Sequence, residues 1–362
     1  PRSTLFPYTT LFRSDGDFAF YTRREIKPDK TSYISRETEE FTFSKFEGIS
    51  STCNCDSFSS GIKMPQPFND GRNQGGVSVT IDNNHLFITI CEQTKINNRP
   101  YKNCDIFESH FSNGEWGPLI NLGTPVNREN TWEGHPSVTS DGKILYFASS
   151  RPDGFGGIDI YQAYRDSAGN WSKMENLGPL INTKDNEKSP FIHSDSQTLY
   201  YSSDGKKGMG GFDIFYSKLL EDGWSVPQNI GYPINNEGDD LGFVVSTDGS
   251  KAYFSPNKFN SSGGYDIYSF ALYEKARPQK VVLLKGQLTD DNGEILTDAK
   301  IEIKDLETQT VREGLVDPMT GRYAVVVVPS VKTDLILTVK KKNYAFKSEY
   351  LALDSIKPKK II

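Results

Sequence analysis

The stretch that decides the fold is FGGIDIY, residues 155–161, because close copies of it recur along the chain at a fixed spacing. The other copies are YKNCDIF at 101–107, MGGFDIF at 209–215 and SGGYDIY at 262–268. Their aspartates, Asp105, Asp159, Asp213 and Asp266, follow one another at intervals of 54, 54 and 53 residues. A period this regular indicates stacked copies of one supersecondary unit, none of which buries its apolar face without its neighbours.

The copies are flanked by the same further signals. A turn dipeptide precedes each of the four, and the first three are followed by a tryptophan, an Asn-Leu-Gly-like segment and a closing pair of an apolar residue plus Asn, which the last copy lacks. The tryptophans are Trp116, Trp171 and Trp224, and the closing pairs are Val126-Asn127, Ile181-Asn182 and Ile234-Asn235. A degenerate earlier copy ends at Phe68-Asn69. The sequence therefore predicts five repeats, at about 15–72, 75–128, 132–183, 187–236 and 240–276.

Short aromatic-rich runs such as residues 144–148, bounded by turn residues, are typical of buried strands, and no segment has the periodicity of an amphipathic helix. Four short antiparallel strands per unit favour a β-propeller blade. We expect the paired glycines to reverse the hairpin at positive φ, the aspartates to cap backbone N–H groups at the turn, and the tryptophans to be blade-core aromatics. The predicted turn residues are Gly156, Gly157, Asp159, Gly210, Gly211, Asp213, Gly263, Gly264 and Asp266.

In this order and repetition, the motifs resemble the WD40-like (TolB-type) propeller repeats of outer-membrane-protein-A (OmpA) family proteins of Bacteroidetes-type bacteria. The resemblance covers roughly residues 15–278. After it, residues 279–356 alternate strands with Asn-Gly and Thr-Gly turns, which indicates a small β-sandwich. The order of its motifs is similar to a carboxypeptidase regulatory-like domain, a transthyretin-like or Ig-like sandwich. The predicted fold class is thus all-β, a propeller of about five four-stranded blades followed by this sandwich.

The two ends of the chain indicate a fragment. Residues 1–14 resemble a translated sequencing adapter and are excluded from the predicted fold. Residues 357–362 are expected to begin a linker to a C-terminal peptidoglycan-binding domain, which the resemblance implies and this sequence lacks. Because the adapter replaces the start of the first repeat, we expect incomplete closure of the ring between repeats one and five.

Composition limits the partners. A net charge of −6 disfavours nucleic acid, which requires a basic surface, and no apolar run is long enough for a transmembrane segment. Cys91 and Cys104 face each other across a predicted hairpin. In the family this position pair resembles a cross-strand disulfide, which an oxidising periplasm permits; the alternative is two buried free thiols. The pairing of Cys53 and Cys55 stays open.

Catalytic and metal-binding motifs are missing from the sequence. His85, His110, His135 and His193 form no zinc-binding motif, and there is no serine-hydrolase elbow or phosphate loop. The Gly/Asp rhythm at 153–159 is similar to calcium-binding β-roll repeats, but turn capping explains it better. The sequence therefore predicts no catalytic residue, no metal and no cofactor.

The favoured prediction is a non-enzymatic protein of the cell envelope, on the periplasmic side of the outer membrane. Its propeller would be a scaffold for envelope proteins, tied to peptidoglycan through the missing domain, and some relatives with this domain order serve type IX secretion. The alternative is a periplasmic glycan-binding or glycan-cleaving propeller, which would need paired carboxylates across the central channel.

Overall fold

The computed structural model describes residues 11–12, 18–27, 36–50, 55–96, 98–254, 268–290, 292–297, 299–328, 334–344 and 347–352. These residues form five antiparallel sheets in succession, followed by one six-stranded arrangement. In this part of the chain the helical structure is a single 3-10 turn at Glu274–Ala276. The predicted all-β fold, a propeller followed by a small β-sandwich, is confirmed.

The five sheets are the blades, numbered along the chain. Blade 1 contains β1 (Leu11–Phe12), β2 (Phe18–Lys27), β3 (Arg36–Ser50), β4 (Cys55–Phe58) and β5 (Ile62–Lys63). Blade 2 contains β6 (Asn73–Val79), β7 (His85–Ile96), β8 (Arg99–Ser112), β9 (Glu115–Trp116) and β10 (Ile120–Asn121). Blade 3 contains β11 (Glu133–Val138), β12 (Ile144–Ser149), β13 (Asp159–Arg165) and β14 (Trp171–Asn176). Blade 4 contains β15 (Glu187–Ile192), β16 (Thr198–Ser203), β17 (Asp213–Leu220), β18 (Gly223–Trp224) and β19 (Gln228–Asn229). Blade 5 contains β20 (Val244–Val245), β21 (Lys251–Phe254) and β22 (Tyr268–Ala271).

The first strands of blades 2 to 5 surround a narrow central channel, whose cavities measure only about 20 and 50 Å³. At one repeat position, within these strands in blades 2 to 4 and just before the strand in blade 5, the residue has positive φ: Gly76 (57°), His135 (53°), Ser189 (51°) and Gly242 (70°). In blades 2, 3 and 4 the register shifts there, which marks a β-bulge. A bulge bends its strand locally and increases its twist.

The repeated tryptophans lie between blades. Trp116 of blade 2 packs edge-on against Phe68, with ring centroids 5.9 Å apart. Trp171 of blade 3 packs against Phe87 of blade 2 at 5.8 Å, and Trp224 of blade 4 against Tyr146 of blade 3 at 6.1 Å. The three tryptophans thus pack in the apolar clusters between blades, where each connects its own blade to the preceding one, as expected of units that cannot bury their cores alone.

The sequence analysis excluded residues 1–14 from the fold, but two of these residues belong to blade 1. Leu11–Phe12 pair with Ala19 and Phe20 at the edge of blade 1, in the position that the innermost strand takes in other blades. Blade 5 has three strands in the part of the chain that the structure describes. Among these described residues, buried apolar clusters join successive blades, and none joins blade 5 to blade 1.

The sandwich that follows contains β23 (Val282–Gln287), β24 (Lys300–Asp305), β25 (Val311–Val316), β26 (Arg322–Val327), β27 (Asp334–Lys340) and β28 (Lys347–Ala352). The first four residues of β25 pair with β24 and its last two residues pair with β26, so this strand belongs to both layers. Ile301, Val325 and Leu335, each 1% exposed or less, lie in the core between the layers.

The sandwich contacts the propeller through the loops that join the first and second strands of the blades, which we call the hairpin face (residues 80–84, 139–143, 193–197 and 246–250). Lys143 Nζ lies 2.6 Å from Glu313 Oε2, and Asn84 Nδ2 donates to Asp317 Oδ2 at 2.9 Å. Ile81 is buried in an apolar cluster with Val281, Ala324 and Val326. The sandwich therefore covers the hairpin face around the channel mouth.

Candidate functional site

The opposite face carries the Gly/Asp turns, and we call it the glycine face (residues 150–158 and 204–212, with the crossover segments 122–132, 177–186 and 230–240). Its geometry depends on the asparagine that closes each repeat. Asn182 accepts from the backbone N–H of Ile160 at 2.8 Å and donates to its carbonyl at 2.9 Å. Its amide also donates to Asn176 Oδ1 at 2.7 Å.

The same clamp recurs in the other repeats. Asn127 holds both backbone groups of Ile106, Asn235 those of Ile214, and Asn69 those of Phe41, all between 2.7 and 2.9 Å. Three sequence motifs, the Ile of Asp-Ile-aromatic, the Asn of Asn-Leu-Gly and the closing Asn, thus form one hydrogen-bonded unit. Because the unit satisfies buried backbone groups, its repetition is explained by folding.

The turn aspartates lie where they hold the glycine loops. Asp213 Oδ2 accepts from the N–H groups of Met209 at 2.9 Å and Gly210 at 3.2 Å. Asp159 accepts likewise from Phe155 and Gly156. Gly263, Gly264 and Asp266 lie outside the described residues.

The predicted reason for the glycines, positive φ, is wrong for Gly156, Gly157, Gly210 and Gly211, none of which has it. A Cβ atom on Gly210 would lie 2.5 Å from the carbonyl oxygen of Asn236, and one on Gly156 equally close to that of Thr183. The crossover to the next blade passes directly over each turn, so only glycine fits.

A second repeated feature, which the sequence analysis missed, is a buried polar residue at the start of the inner strand. Glu187 accepts from Thr183 N and Oγ1, both at 2.8 Å, and from Ser203 Oγ at 2.6 Å. Asp240 accepts from Asn236 N at 2.7 Å and Nδ2 at 2.6 Å. Gln74 and Glu133 occupy this position in blades 2 and 3. Spacings of 59, 54 and 53 residues could have revealed the set, but its residue type varies.

Burial disfavours the charged form of the three carboxyl groups in this set. It raises the pKa of Glu133 and of Glu187, and it raises the pKa of Asp240 to about 6. Glu133 has a buried cationic partner, Arg151, whose Nη2 lies 3.3 Å from Glu133 Oε1 and 2.7 Å from the carbonyl of Val126. Each carboxylate accepts hydrogen bonds from its own blade or crossover, which is the geometry of a structural clamp.

Apolar side chains protrude from the loops of the glycine face. Phe155 and Met209, one repeat apart, are 50% and 52% exposed, and Tyr232 is 78% exposed. Arg128 pairs with Asp153 at 2.9 Å beside Phe155. Exposed aromatic and Met side chains beside charged groups are typical of protein contact surfaces.

The propeller offers two places for a ligand, the central channel and a cavity between blades 1 and 2. The central channel is far smaller than the roughly 300–1,000 Å³ of typical ligand pockets. Its described lining, from residues 76–81, 135–140, 189–194 and 242–247, contains no carboxylate pair for glycoside hydrolysis. A cavity of about 550 Å³ lies between blades 1 and 2, where Phe18, Phe43 and Trp116 make its lining mostly apolar. Its size and lining suit an apolar ligand.

The cysteines and histidines have defined places. Cys91 and Cys104 are directly opposed on β7 and β8 and form a disulfide, while Cys53 lies outside the described residues. His135 is buried beside the channel, where burial lowers its pKa to about 3. His193 is buried and accepts from the N–H of Asp195 at 3.1 Å. His85 and His110 face each other across the same strands β7 and β8.

No protein-family model matches the chain, and no curated protein matches it. Among solved structures, a protein assigned as TolB from Agrobacterium tumefaciens is 14% identical, with a TM-score of 0.41 over 90% of this chain and 91% of that one. A puromycin-hydrolyzing peptidase of Mycobacterium tuberculosis is 11% identical, with a TM-score of 0.40 over 92% of this chain and 58% of that one. A family 117 glycoside hydrolase produced by the marine bacterium Zobellia galactanivorans is 13% identical, with a TM-score of 0.41 over 73% and 82%.

The prediction that this chain is not an enzyme is contradicted by this comparison. Several similar structures are peptidases or glycoside hydrolases, so the fold gives no ground for that exclusion. No helix in the described part of the chain is long and apolar enough to cross a membrane. What the chain shares with these structures is the fold alone, a β-propeller of a kind found both in TolB-type proteins and in hydrolytic enzymes.

Proposed function

We propose that this chain is part of a cell-envelope protein whose propeller binds other envelope proteins through the glycine face. The observation that carries the proposal is the position of the sandwich. It contacts the hairpin face through Lys143, Asn84 and Ile81, which leaves the opposite face to a partner. Loops held by a stiff sheet scaffold are the usual place for binding residues.

The glycine face is built for rigid presentation. Each loop is held by its aspartate, by the crossover above it and by the Asn clamp below it. Phe155 and Met209 project from these loops at corresponding positions of neighbouring blades. A preorganised apolar pair loses little conformational entropy on binding, so it can anchor a protein partner.

The proposed location is the periplasmic side of the outer membrane. It is supported by the sequence resemblance to OmpA-family envelope proteins and by the disulfide between Cys91 and Cys104, a bond that persists in oxidising compartments. In that family a peptidoglycan-binding domain follows the sandwich. We therefore propose that the sandwich spaces the propeller from such an anchor, and that the partners are proteins of the same envelope.

The test is site-specific photocrosslinking in cells that make the protein. A photoreactive residue replaces Phe155 or Met209 on the glycine face, and Met319, 63% exposed on the sandwich, is the matched control site. We expect discrete adducts with envelope proteins at positions 155 and 209 and none at 319. The F155D/M209D double variant should lose adducts formed from a photoreactive residue at Tyr232. Adducts confined to position 319, or equal at all sites, would reject the glycine face as the partner surface.

A further inference from the structure

Three side chains of the type that binds transition metals converge beside the interface between blades 2 and 3. His85 and His110 are directly opposed in the β7–β8 register. Glu108 lies two residues before His110 on the same strand, so it projects from the same side of the sheet. The backbone therefore places all three on one surface.

The donor atoms are close to one another. His85 Nδ1 lies 2.8 Å from Glu108 Oε1, and His110 Nε2 lies 3.0 Å from the same oxygen. All three donor atoms lie within 4.8 Å of one another. Ligands of a tetrahedral zinc ion with bonds of about 2.0–2.1 Å are roughly 3.3 Å apart, so small side-chain rotations would admit the ion.

Solvent reaches the two histidines of the cluster, as it does at a metal site that keeps one position open to water. The Glu108 side chain is 8% exposed, whereas those of His85 and His110 are 28% and 51% exposed. A buried carboxylate would hold the ion from below, and the imidazoles lie at the solvent boundary. We propose that His85 Nδ1, His110 Nε2 and Glu108 Oε1 bind one divalent transition-metal ion of the zinc class, with water in the remaining position.

Arg165 of blade 3 sets the charge of the site. Its Nη2 lies 3.0 Å from Glu108 Oε1 and 3.2 Å from Oε2, and its guanidinium stacks over Trp171 with a centroid distance of 5.1 Å. With a metal ion bound to Glu108 Oε1, the Arg165 guanidinium would still donate a hydrogen bond to Glu108 Oε2. Carboxylates that bind a metal are commonly held by such a hydrogen bond from a residue outside the ligand set. The positive charge also opposes the ion, so Arg165 should weaken binding while orienting Glu108.

This site revises the prediction of no metal. Sequence motifs for zinc place the ligands close together on one helix or in one loop. Here His85 is separated from His110 by 25 residues, and only the antiparallel pairing brings them together. The inference does not depend on the proposed binding role of the glycine face.

The experiment is calorimetric titration of the untagged protein with Zn²⁺, followed by Co²⁺ absorption spectroscopy of the same site. We expect one Zn²⁺ per chain. H85A, H110A and E108Q should each weaken binding by roughly 100-fold or more, since each removes a ligand rather than an outer partner. E175Q, which removes a carboxylate from the surface pair with Lys173 at 2.8 Å, is the matched control and should bind as the native protein does.

Arg165→Gln separates a metal site from a purely structural triad. The Gln side chain keeps an N–H donor for Glu108 Oε2 and removes only the positive charge that opposes the ion, so Zn²⁺ binding should tighten several-fold, even if the variant is less stable. Because the His110 side chain is half exposed, H110A should remain folded, and its circular dichroism spectrum checks this. Absence of Zn²⁺ binding to the native protein, or binding that H85A and H110A leave unchanged, would overturn the proposal.

Discussion

Replacement of Asn182 by Ala tests whether the repeated asparagine clamp stabilises the blades. The change removes three hydrogen bonds, to Ile160 N, Ile160 O and Asn176 Oδ1. The carbonyl of Ile160 keeps a second hydrogen-bond partner, the N–H of Leu177 at 3.1 Å. The N–H of Ile160 loses its partner, and this residue is 0% exposed. An orphaned buried N–H costs about 1–3 kcal/mol and each other lost bond about 0.5–1.5 kcal/mol, so we expect a loss of about 3 kcal/mol.

The assay is urea unfolding followed by tryptophan fluorescence, together with a thermal melt. A loss of this size should lower the melting temperature by roughly 5–10 °C. Asn127→Ala and Asn235→Ala should behave alike, because their contacts are the same in type and length. Asn170→Ala, at an exposed turn where the side chain reaches Asp166, is the control and should cost less than about 0.5 kcal/mol. If Asn182→Ala costs no more than Asn170→Ala, the clamp is not what holds the blades.

Three further predictions concern the disulfide and the buried charges. The bond between Cys91 and Cys104, 13 residues apart, should contribute about 3 kcal/mol through the loop that it closes; unfolding of the C91S/C104S variant measures this, and an unchanged unfolding midpoint would contradict it. Burial holds the folded-state pKa of Asp240 at about 6, above its unfolded value of 3.8, so this group makes the free energy of unfolding fall as pH rises from about 4 to 6. Asp240→Asn should flatten that part of the pH profile, and identical profiles for variant and native protein would show that Asp240 does not titrate as described. Arg151→Met should lower the free energy of unfolding by about 3–5 kcal/mol, because it leaves Glu133 buried without its cation. Adding Glu133→Gln to that variant should recover part of the loss. A double variant whose loss equals the sum of the two single losses would exclude this coupling.

The architecture could be predicted from the sequence because the fold requires particular residue types at fixed positions of each repeat. The four Asp-Ile-aromatic copies, together with the degenerate copy that ends at Phe68-Asn69, predicted the five blades, and the clamp around Asn182 shows why the Ile and Asn motifs recur together. The reason for Gly210 was missed because it depends on the crossover segment to the next blade, which passes over the turn 26 residues later in the chain, at Asn236. Local turn propensity carries no information about such an approach.

The functional features were harder to predict for the same physical reason. Glu187 and Asp240 differ in length but take the same place, so they form no sequence motif. His85, Glu108 and His110 meet only through strand pairing, and Arg165 comes from another blade. Which face the sandwich covers depends on contacts such as Lys143 with Glu313, between residues 170 positions apart.

Carbodiimide crosslinking with mass spectrometry tests the docking of the sandwich on the hairpin face most directly. This reagent joins amines and carboxylates that already touch, and Lys143 Nζ lies 2.6 Å from Glu313 Oε2. Lys340 and Glu302, also 2.6 Å apart but both within the sandwich, are the internal control. We expect both crosslinked peptides in comparable yield. Formation of the Lys340–Glu302 link without the Lys143–Glu313 link, or with links from the sandwich to Lys184 or Lys206 on the glycine face instead, would contradict the proposed arrangement.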